Sequence, residues 1–275
     1  MPIEQSREPK QFADFEFAGW ESNVAGYDAA FGAVARQSVE AMLDAARVTS
    51  GRIVLDVCCG PGMLAGGATK RGADATGLDF SAKAIEMASR LLPRTRFQQG
   101  NAQSLPFPDA TFDSVLCGYG LMHLPDPEAA LREMRRVLRP DGRLALSVWD
   151  ATAVGFTLVY EAIRARGKMD VPLPHGPDFF QFGTPERMVA ALAEVGFIDP
   201  AAFSHSQDWR VDNADRYIES IISGTVRARA VLSSQSGAAA ADVRSYIANY
   251  LTRFRTQTGE LSVPMPAIIG SGRRL

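Results

Sequence analysis

The 275-residue sequence predicts an α/β fold built on a doubly wound parallel sheet. Two observations carry the prediction. The first is a junction. Ile53-Val54-Leu55-Asp56-Val57 is short and almost wholly apolar, as a buried strand requires. The chain then turns on Gly60 and Gly62, and the small-residue run Leu64 to Ala68 can start a helix. Strand, glycine turn and helix together make a nucleotide pocket in such sheets, because glycine lets backbone N–H groups approach a ligand at a helix N-terminus. The second is alternation. Further short apolar runs follow, each separated from the next by a helical pattern, and alternating strands and helices imply parallel strands joined by right-handed crossovers.

Residues 1–18 read as a poorly ordered arm, with the alternating Phe12, Phe15 and Phe17 packing on the body. A helical pattern then runs from Trp20 to Arg47, with Tyr27, Phe31 and Val34 on one face and Val39, Met42, Leu43 and Ala46 continuing the stripe; Thr49-Ser50-Gly51 ends it. After the opening strand, Asp74 to Asp79 is a second strand. Ser81 caps a helix whose buried face is Ile85, Ala88, Leu91 and Leu92, and Pro93 stops it. Arg96 to Gln99 and Phe112 to Cys117 are the third and fourth strands. Asp126-Pro127 opens a helix as N-cap and first-turn proline, with Ala130, Leu131, Met134, Val137 and Leu138 apolar. Pro140-Asp141-Gly142 is a turn before a fifth strand, Arg143 to Trp149. The second half is less regular. Helices are expected over Val154 to Arg166 and from Pro185. Gly167 to Gly183, rich in proline, glycine and aromatics, is a long loop of the kind that forms lids. Ala202 to Val211 is a sixth strand. Two amphipathic patterns, around Tyr217 to Ile222 and Val243 to Phe254, are joined by the Ser/Ala/Gly-rich stretch Ser233 to Ala241. Val263 to Ile269 is the last strand.

Composition narrows the function classes. The net charge of −2 and pI near 6.0 give no basic surface for nucleic acid. No apolar run approaches the roughly 20 residues that span a bilayer. The polar N-terminal segment lacks an apolar stretch, so secretion is not expected. Cys58, Cys59 and Cys117 have no metal-ligand spacing, and the three histidines are scattered, so no metal site is expected and a reducing cytoplasm is the simplest setting.

Four blocks in order carry a resemblance. They are Leu55-Asp56-Val57-Cys58-Cys59-Gly60-Pro61-Gly62; Gly77-Leu78-Asp79-Phe80-Ser81; Gly100-Asn101-Ala102-Gln103-Ser104-Leu105-Pro106-Phe107; and Phe112 to Leu116 with Met122-His123-Leu124 and Leu138-Arg139-Pro140-Asp141-Gly142. Across about residues 20–200 the chain resembles the class I S-adenosylmethionine-dependent methyltransferases, in particular the ubiquinone/menaquinone-biosynthesis branch (methyltransferase type 11). The resemblance implies a Rossmann-like, seven-stranded sheet with the last strand antiparallel, which gives Val263 to Ile269 a place. It implies a single domain, 1–275. Within it lie an N-terminal helical cap (1–48), a cofactor-binding core (49–150), the remaining sheet and lid loop (151–212), a helical insertion over the acceptor side (213–258) and the last strand (259–275).

It also implies S-adenosyl-L-methionine as cofactor and S-adenosyl-L-homocysteine as product, with contacts from Asp56, Cys58, Gly60, Gly62, Asp79, Phe80, Asn101, Ala102 and Cys117. In that scheme Gly60 and Gly62 pass under the amino-acid part, Asp56 orients the loop and the cofactor amine, Asp79 accepts the ribose hydroxyls, Phe80 lies against adenine, and Asn101 and Ala102 meet its edge. Asn101 stands where many relatives carry aspartate. Cys58 and Cys59 also fit as small fillers of a tight loop.

The function expected is methyl transfer to a small, partly apolar O-, N- or C-acceptor. His123 and Tyr119, after the fourth strand, are the candidate bases or acceptor-orienting groups, and each also fits as an ordinary loop residue. His175, in the long loop, is a further candidate base. Trp20, Tyr27 and Trp149, with Phe31 and the aromatics at 179–182, are candidates for the acceptor pocket or plain core. The helices at 213–258 are a candidate lid or homodimer surface. Two alternatives remain: a nicotinamide-dependent oxidoreductase on a similar sheet, and a cofactor-binding protein without transfer activity.

Overall fold

The computed structural model describes residues 8–275. Its centre is a seven-stranded sheet in the order β3-β2-β1-β4-β5-β9-β6. The strands are β1 (Ile53–Val57), β2 (Asp74–Asp79), β3 (Arg96–Gln99), β4 (Phe112–Gly118), β5 (Leu138–Trp149), β6 (Ile198–His205) and β9 (Ala267–Arg273). β1 to β5 pair in parallel, and β9 lies antiparallel between β5 and β6. The chain reverses direction at β1, so β1 and β4 form the switch point whose carboxyl edge accepts ligands in open α/β sheets.

Side-chain alternation divides the core into two layers. Val54, Leu116, Ala145 and Ile269 face Met42 and Leu43 of α2 (Val39–Ala45) and Leu64, Ala65 and Ala68 of α3 (Met63–Lys70). Leu55, Val115, Leu144 and Ile268 face the other way, toward α5 (Pro127–Val137), α6 (Val154–Arg166) and α7 (Pro185–Glu194). Three of the helix starts are held as the sequence predicts. Ser81 accepts from Ala84 N–H ahead of α4 (Ala82–Leu91), Asp126 from Ala129 N–H ahead of α5, and Thr184 from Arg187 N–H ahead of α7.

Several local expectations are corrected. The N-terminal arm is, from Glu8 onward, the start of a 28-residue helix, α1 (Glu8–Ala35); residues 1–7 lie outside the described ones. Before Trp20 its buried positions are Phe12 and Glu16, one of them charged, which hides the stripe from a hydrophobic pattern. A 3-10 turn at Arg36–Ser38 separates α1 from α2. Leu91 is exposed, at 56%, rather than buried. Pro140-Asp141-Gly142 lies inside β5, with Asp141 at φ +62° beside a register shift between Phe112 and Ser114.

The single strand expected over 202–211 is two. β6 belongs to the main sheet, whereas β7 (Asp208–Val211) pairs with β8 (Leu261–Pro264) in a separate ribbon. The last strand is likewise divided. Pro264 and Pro266 lack the N–H that a continuous ladder needs, and the chain crosses between sheets at Met265.

The stretch 233–241 is mostly helical. It holds the end of α9 (Arg227–Ser233) and the start of α10 (Gly237–Leu251). Together with α8 (Ala214–Gly224), these helices bury Tyr217, Ile218, Ile221, Val243, Ile247 and Leu251 within the chain, α8 packing on α1 and α10 on α6. The apolar faces that suggested a homodimer surface are thus already covered. Among the described residues no helix is long and apolar enough to cross a membrane.

Candidate active site

The floor of the site is the turn between β1 and α3. Cys58, Gly60 and Gly62 all have positive φ (+55°, +51° and +85°), so the backbone coils tightly beneath the carboxyl edge of the sheet. Two carboxylates hold that coil. Asp79, at the end of β2, accepts from Gly60 N–H (2.9 Å) and Ser81 N–H (2.9 Å). Asp56, at the end of β1, accepts from Ala65 N–H (2.8 Å) in the first turn of α3. Burial raises the pKa of both. For Asp79 the Ser81 and Gly60 bonds pull the other way. For Asp56 burial wins over the Ala65 bond, with the Asp79 charge adding to it, and the value rises to about 7.

The two glycines have different surroundings. A Cβ on Gly60 would meet nothing within 4 Å, whereas one on Gly62 would lie 2.8 Å from the Phe97 ring. Gly60 therefore faces open space, and Gly62 is packed against β3.

Above this floor lies a partly open cavity walled by Cys58, Gly60, Asp79, Phe80, Tyr119 and His123 and roofed by Trp20 and Tyr27 of α1. A second opening shares Cys58, Asp79, Phe80 and His123 and extends to Asn101 and Ala102. Phe17 of α1 lies against Phe80 there, ring centres 5.5 Å apart. Ser81 donates to Glu21 (2.6 Å), which ties α1 to the floor.

Of the nine cofactor contacts expected, Cys58, Gly60, Asp79, Phe80, Asn101 and Ala102 reach these openings. Asp56 and Cys117 are buried beneath the floor, and Gly62 lines neither opening. The oxygen of Asn101 already accepts from Gln103 N–H (2.9 Å). The bond to Cys117, and then burial, pushes the Cys58 thiol up, so Cys58 stays protonated.

The acceptor-side candidates divide more sharply. Tyr119 stacks on Trp149 (4.2 Å) and its hydroxyl lies 3.0 Å from Gln207 Oε1 and 3.1 Å from Ser38 Oγ. Burial, against those bonds, pushes its pKa up to about 12, and the ring forms part of the cavity wall. His175 is exposed, and His205 bonds Gln37 O (3.0 Å) on another part of the molecule. Phe31 is wholly core, between Phe156 and Trp209.

His123 is different. It lines both openings and also a third, narrow chamber walled by Trp20, Tyr27, Trp149, Phe156, Tyr160 and Phe179. Its Nδ1 lies 3.0 Å from Glu16 Oε2. Glu16, almost fully buried, also accepts from Trp20 Nε1 (2.9 Å) and Arg227 Nε (2.9 Å). Burial raises its pKa, but His123 and Arg227 outweigh that and hold it below the usual glutamate range. Glu16 and Arg227 escape the sequence reading. A glutamate in a helix beginning and an arginine in another helix are ordinary surface residues until the fold joins them.

A sheet order with one antiparallel strand inserted next to the edge, and a cavity at the carboxyl ends of β1 and β2 floored by a glycine turn, define a Rossmann-like open α/β fold with its ligand site at the switch point. Residues 55–146 of this chain match the family model described as a methyltransferase domain. Its relatives include a demethylmenaquinone methyltransferase of Anoxybacillus flavithermus, 38% identical over 42% of this chain and 52% of that protein. The chain thus spans about half the length of such relatives. Among solved structures, a phosphoethanolamine N-methyltransferase of Haemonchus contortus, in complex with phosphomonomethylethanolamine and S-adenosylhomocysteine, aligns with 96% of this chain and 60% of its own, at TM-score 0.56 and 16% identity. The [4+2]-cyclase SpnF aligns with 87% of this chain and 82% of its own, at TM-score 0.50 and 18% identity.

Proposed function

We propose that this protein is an S-adenosylmethionine-dependent methyltransferase acting on a compact, partly apolar acceptor. The observation that carries the reading is the buried Asp79 carboxylate beside Gly60, whose missing Cβ leaves open space at the floor of the cavity. A carboxylate with spare lone pairs suits a ribose diol. Phe80 supplies an apolar surface for adenine, and the exposed Asn101 with Ala102 borders its edge. Asp56 supports the loop from beneath. The residues fit the cofactor. When bound, it supplies an electrophilic methyl group whose leaving group is a neutral thioether.

The chain's own part is orientation and exclusion of water. The roof of α1 covers the floor, and the aromatic chamber adjoining it at Trp20, Tyr27 and His123 offers the acceptor a flat, apolar seat. His123, at the junction, takes the proton of an acceptor that must lose one. The three free thiols suit a cytoplasmic setting.

Calorimetry with S-adenosylhomocysteine and with NAD tests the cofactor. Tight NAD binding without S-adenosylhomocysteine binding overturns the reading. The cyclase of similar fold shows that this architecture does not fix the reaction. A turnover screen with phenols, hydroquinones and amines therefore tests transfer itself, and failure across all three classes favours a binding protein without transfer activity.

A further inference from the structure

Four segments far apart in the chain converge on one buried carboxylate. Glu16 and Trp20 come from α1, His123 from the turn after β4, Phe179 from the long loop and Arg227 from α9. Glu16 is 3% exposed, so its charge needs donors, and it has three: the Trp20 indole, the His123 ring and the Arg227 guanidinium. Arg227 gives only Nε to Glu16. Its other nitrogens donate to Pro177 O (2.8 Å) and to the carbonyl of Met122, the residue before His123. The same guanidinium thus holds both the carboxylate and the turn that carries the imidazole, and the Phe12 and Phe179 rings flank it.

An ionised carboxylate can only accept, so the Nδ1 that faces it carries the proton, and the neutral ring then has its lone pair on Nε2. No hydrogen bond engages Nε2 among the described residues, and His123 borders both the cofactor cavity and the aromatic chamber.

We propose that Glu16, held by Arg227, is a positioning residue that fixes His123 in the Nδ1–H form, so that Nε2 accepts a proton from the acceptor. This rests on the methyltransferase reading and narrows its substrate class to acceptors with a dissociable hydrogen, such as a phenolic or enolic hydroxyl or a protonated amine. In the step, the acceptor's X–H bond breaks and its proton passes to Nε2, the freed electron pair forms the new bond to the transferred methyl carbon, and the methyl–sulfur bond breaks with its pair leaving on the neutral thioether. The imidazolium so formed sits against the Glu16 carboxylate, and solvent then removes the proton. An acceptor without such a hydrogen, a tertiary amine or a thioether, would leave this arrangement without a task.

The test is the tautomer of His123, read from nitrogen–proton correlation spectra of the full chain labelled with 15N-histidine, recorded over a pH series and compared at its neutral-ring limit. The chain has three histidines, so His123→Gln assigns the signal. The wild type is expected to show a protonated Nδ1 and a bare Nε2. Glu16→Asp is expected to keep that pattern, and Glu16→Gln to raise the Nε2–H form, minor in the wild type, to half or more of the neutral ring. A wild-type ring protonated on Nε2, or a Glu16→Gln variant with the wild-type pattern, overturns the proposal. If Glu16→Gln does not fold, the wild type and Glu16→Asp decide it. Calorimetry on the same wild-type sample separates the two readings. An Nδ1–H ring without S-adenosylhomocysteine binding overturns the methyltransferase reading alone. S-adenosylhomocysteine binding with a ring protonated on Nε2 overturns the positioning role alone.

Discussion

The two sides of the cavity are built in opposite ways. The cofactor side comes from two short stretches, 56–65 and 79–81, whose polar contacts run mainly from backbone N–H groups to Asp56 and Asp79. The acceptor side has no local motif. Its key contacts, Glu16 with His123, Glu16 with Arg227 and Tyr119 with Gln207, join residues 107, 211 and 88 positions apart. A site made from one turn survives changes elsewhere in the chain, whereas a site made from packed helices depends on the whole core beneath it.

The sharpest way to break this contrast is Phe31→Ala. Phe31 is wholly buried between Phe156 and Trp209, and it anchors α1 to the acceptor side. A loss of about 3–5 kcal/mol is expected in urea unfolding, as for large aromatic truncations in cores. A loss under about 1 kcal/mol would mean that α1 is held by other contacts.

Asp56 probes the floor through pH. Its folded pKa of about 7 lies above the ordinary aspartate value of 3.8, so the folded chain binds this proton more tightly than the unfolded chain. The stabilisation is complete below about pH 4 and is lost as pH rises through about 7. Asp56→Asn removes this titration while keeping an oxygen for Ala65 N–H. Without ligand, its stability relative to wild type is expected to rise between those limits by about 2–4 kcal/mol. Parallel pH profiles for the two proteins would place the titration elsewhere.

Asp79→Ala removes the acceptor of both the Gly60 and Ser81 N–H bonds. It is expected to weaken S-adenosylhomocysteine binding by about 1–3 kcal/mol in calorimetry. Unchanged affinity would take Asp79 out of the site.

The smallest effect compares the two glycines. Gly62→Ala combines φ +85° with a 2.8 Å approach to Phe97, and Gly60→Ala has φ +51° with open space. The first is expected to cost about 2–3 kcal/mol of stability and the second about 1. Equal losses in thermal unfolding would mean that Phe97 gives way without cost.

What could be read in advance follows the same division. β1, β2, β4 and β5 were legible because each is a short apolar run ending at a turn, and the Ser81, Asp126 and Thr184 caps because capping is a contact three residues long. The break between β8 and β9 was written in Pro264 and Pro266 but was outweighed by the apolar run around them. The start of α1 was hidden because its inward positions hold Glu16 and Asn23, whose partners, Arg227, Arg229 and the Thr225 carbonyl, lie some 200 residues on.

By itself the sequence determined the sheet, the glycine turn and the acid at the end of β2, because these depend on backbone geometry and neighbours within a few residues. Only the tertiary structure supplied the partners of the histidine that follows β4. Nothing local links His123 to Glu16 or Arg227, but packing α1, α9 and the turn after β4 together buries one carboxylate beside one imidazole, and a buried charge must find its partners wherever the fold brings them.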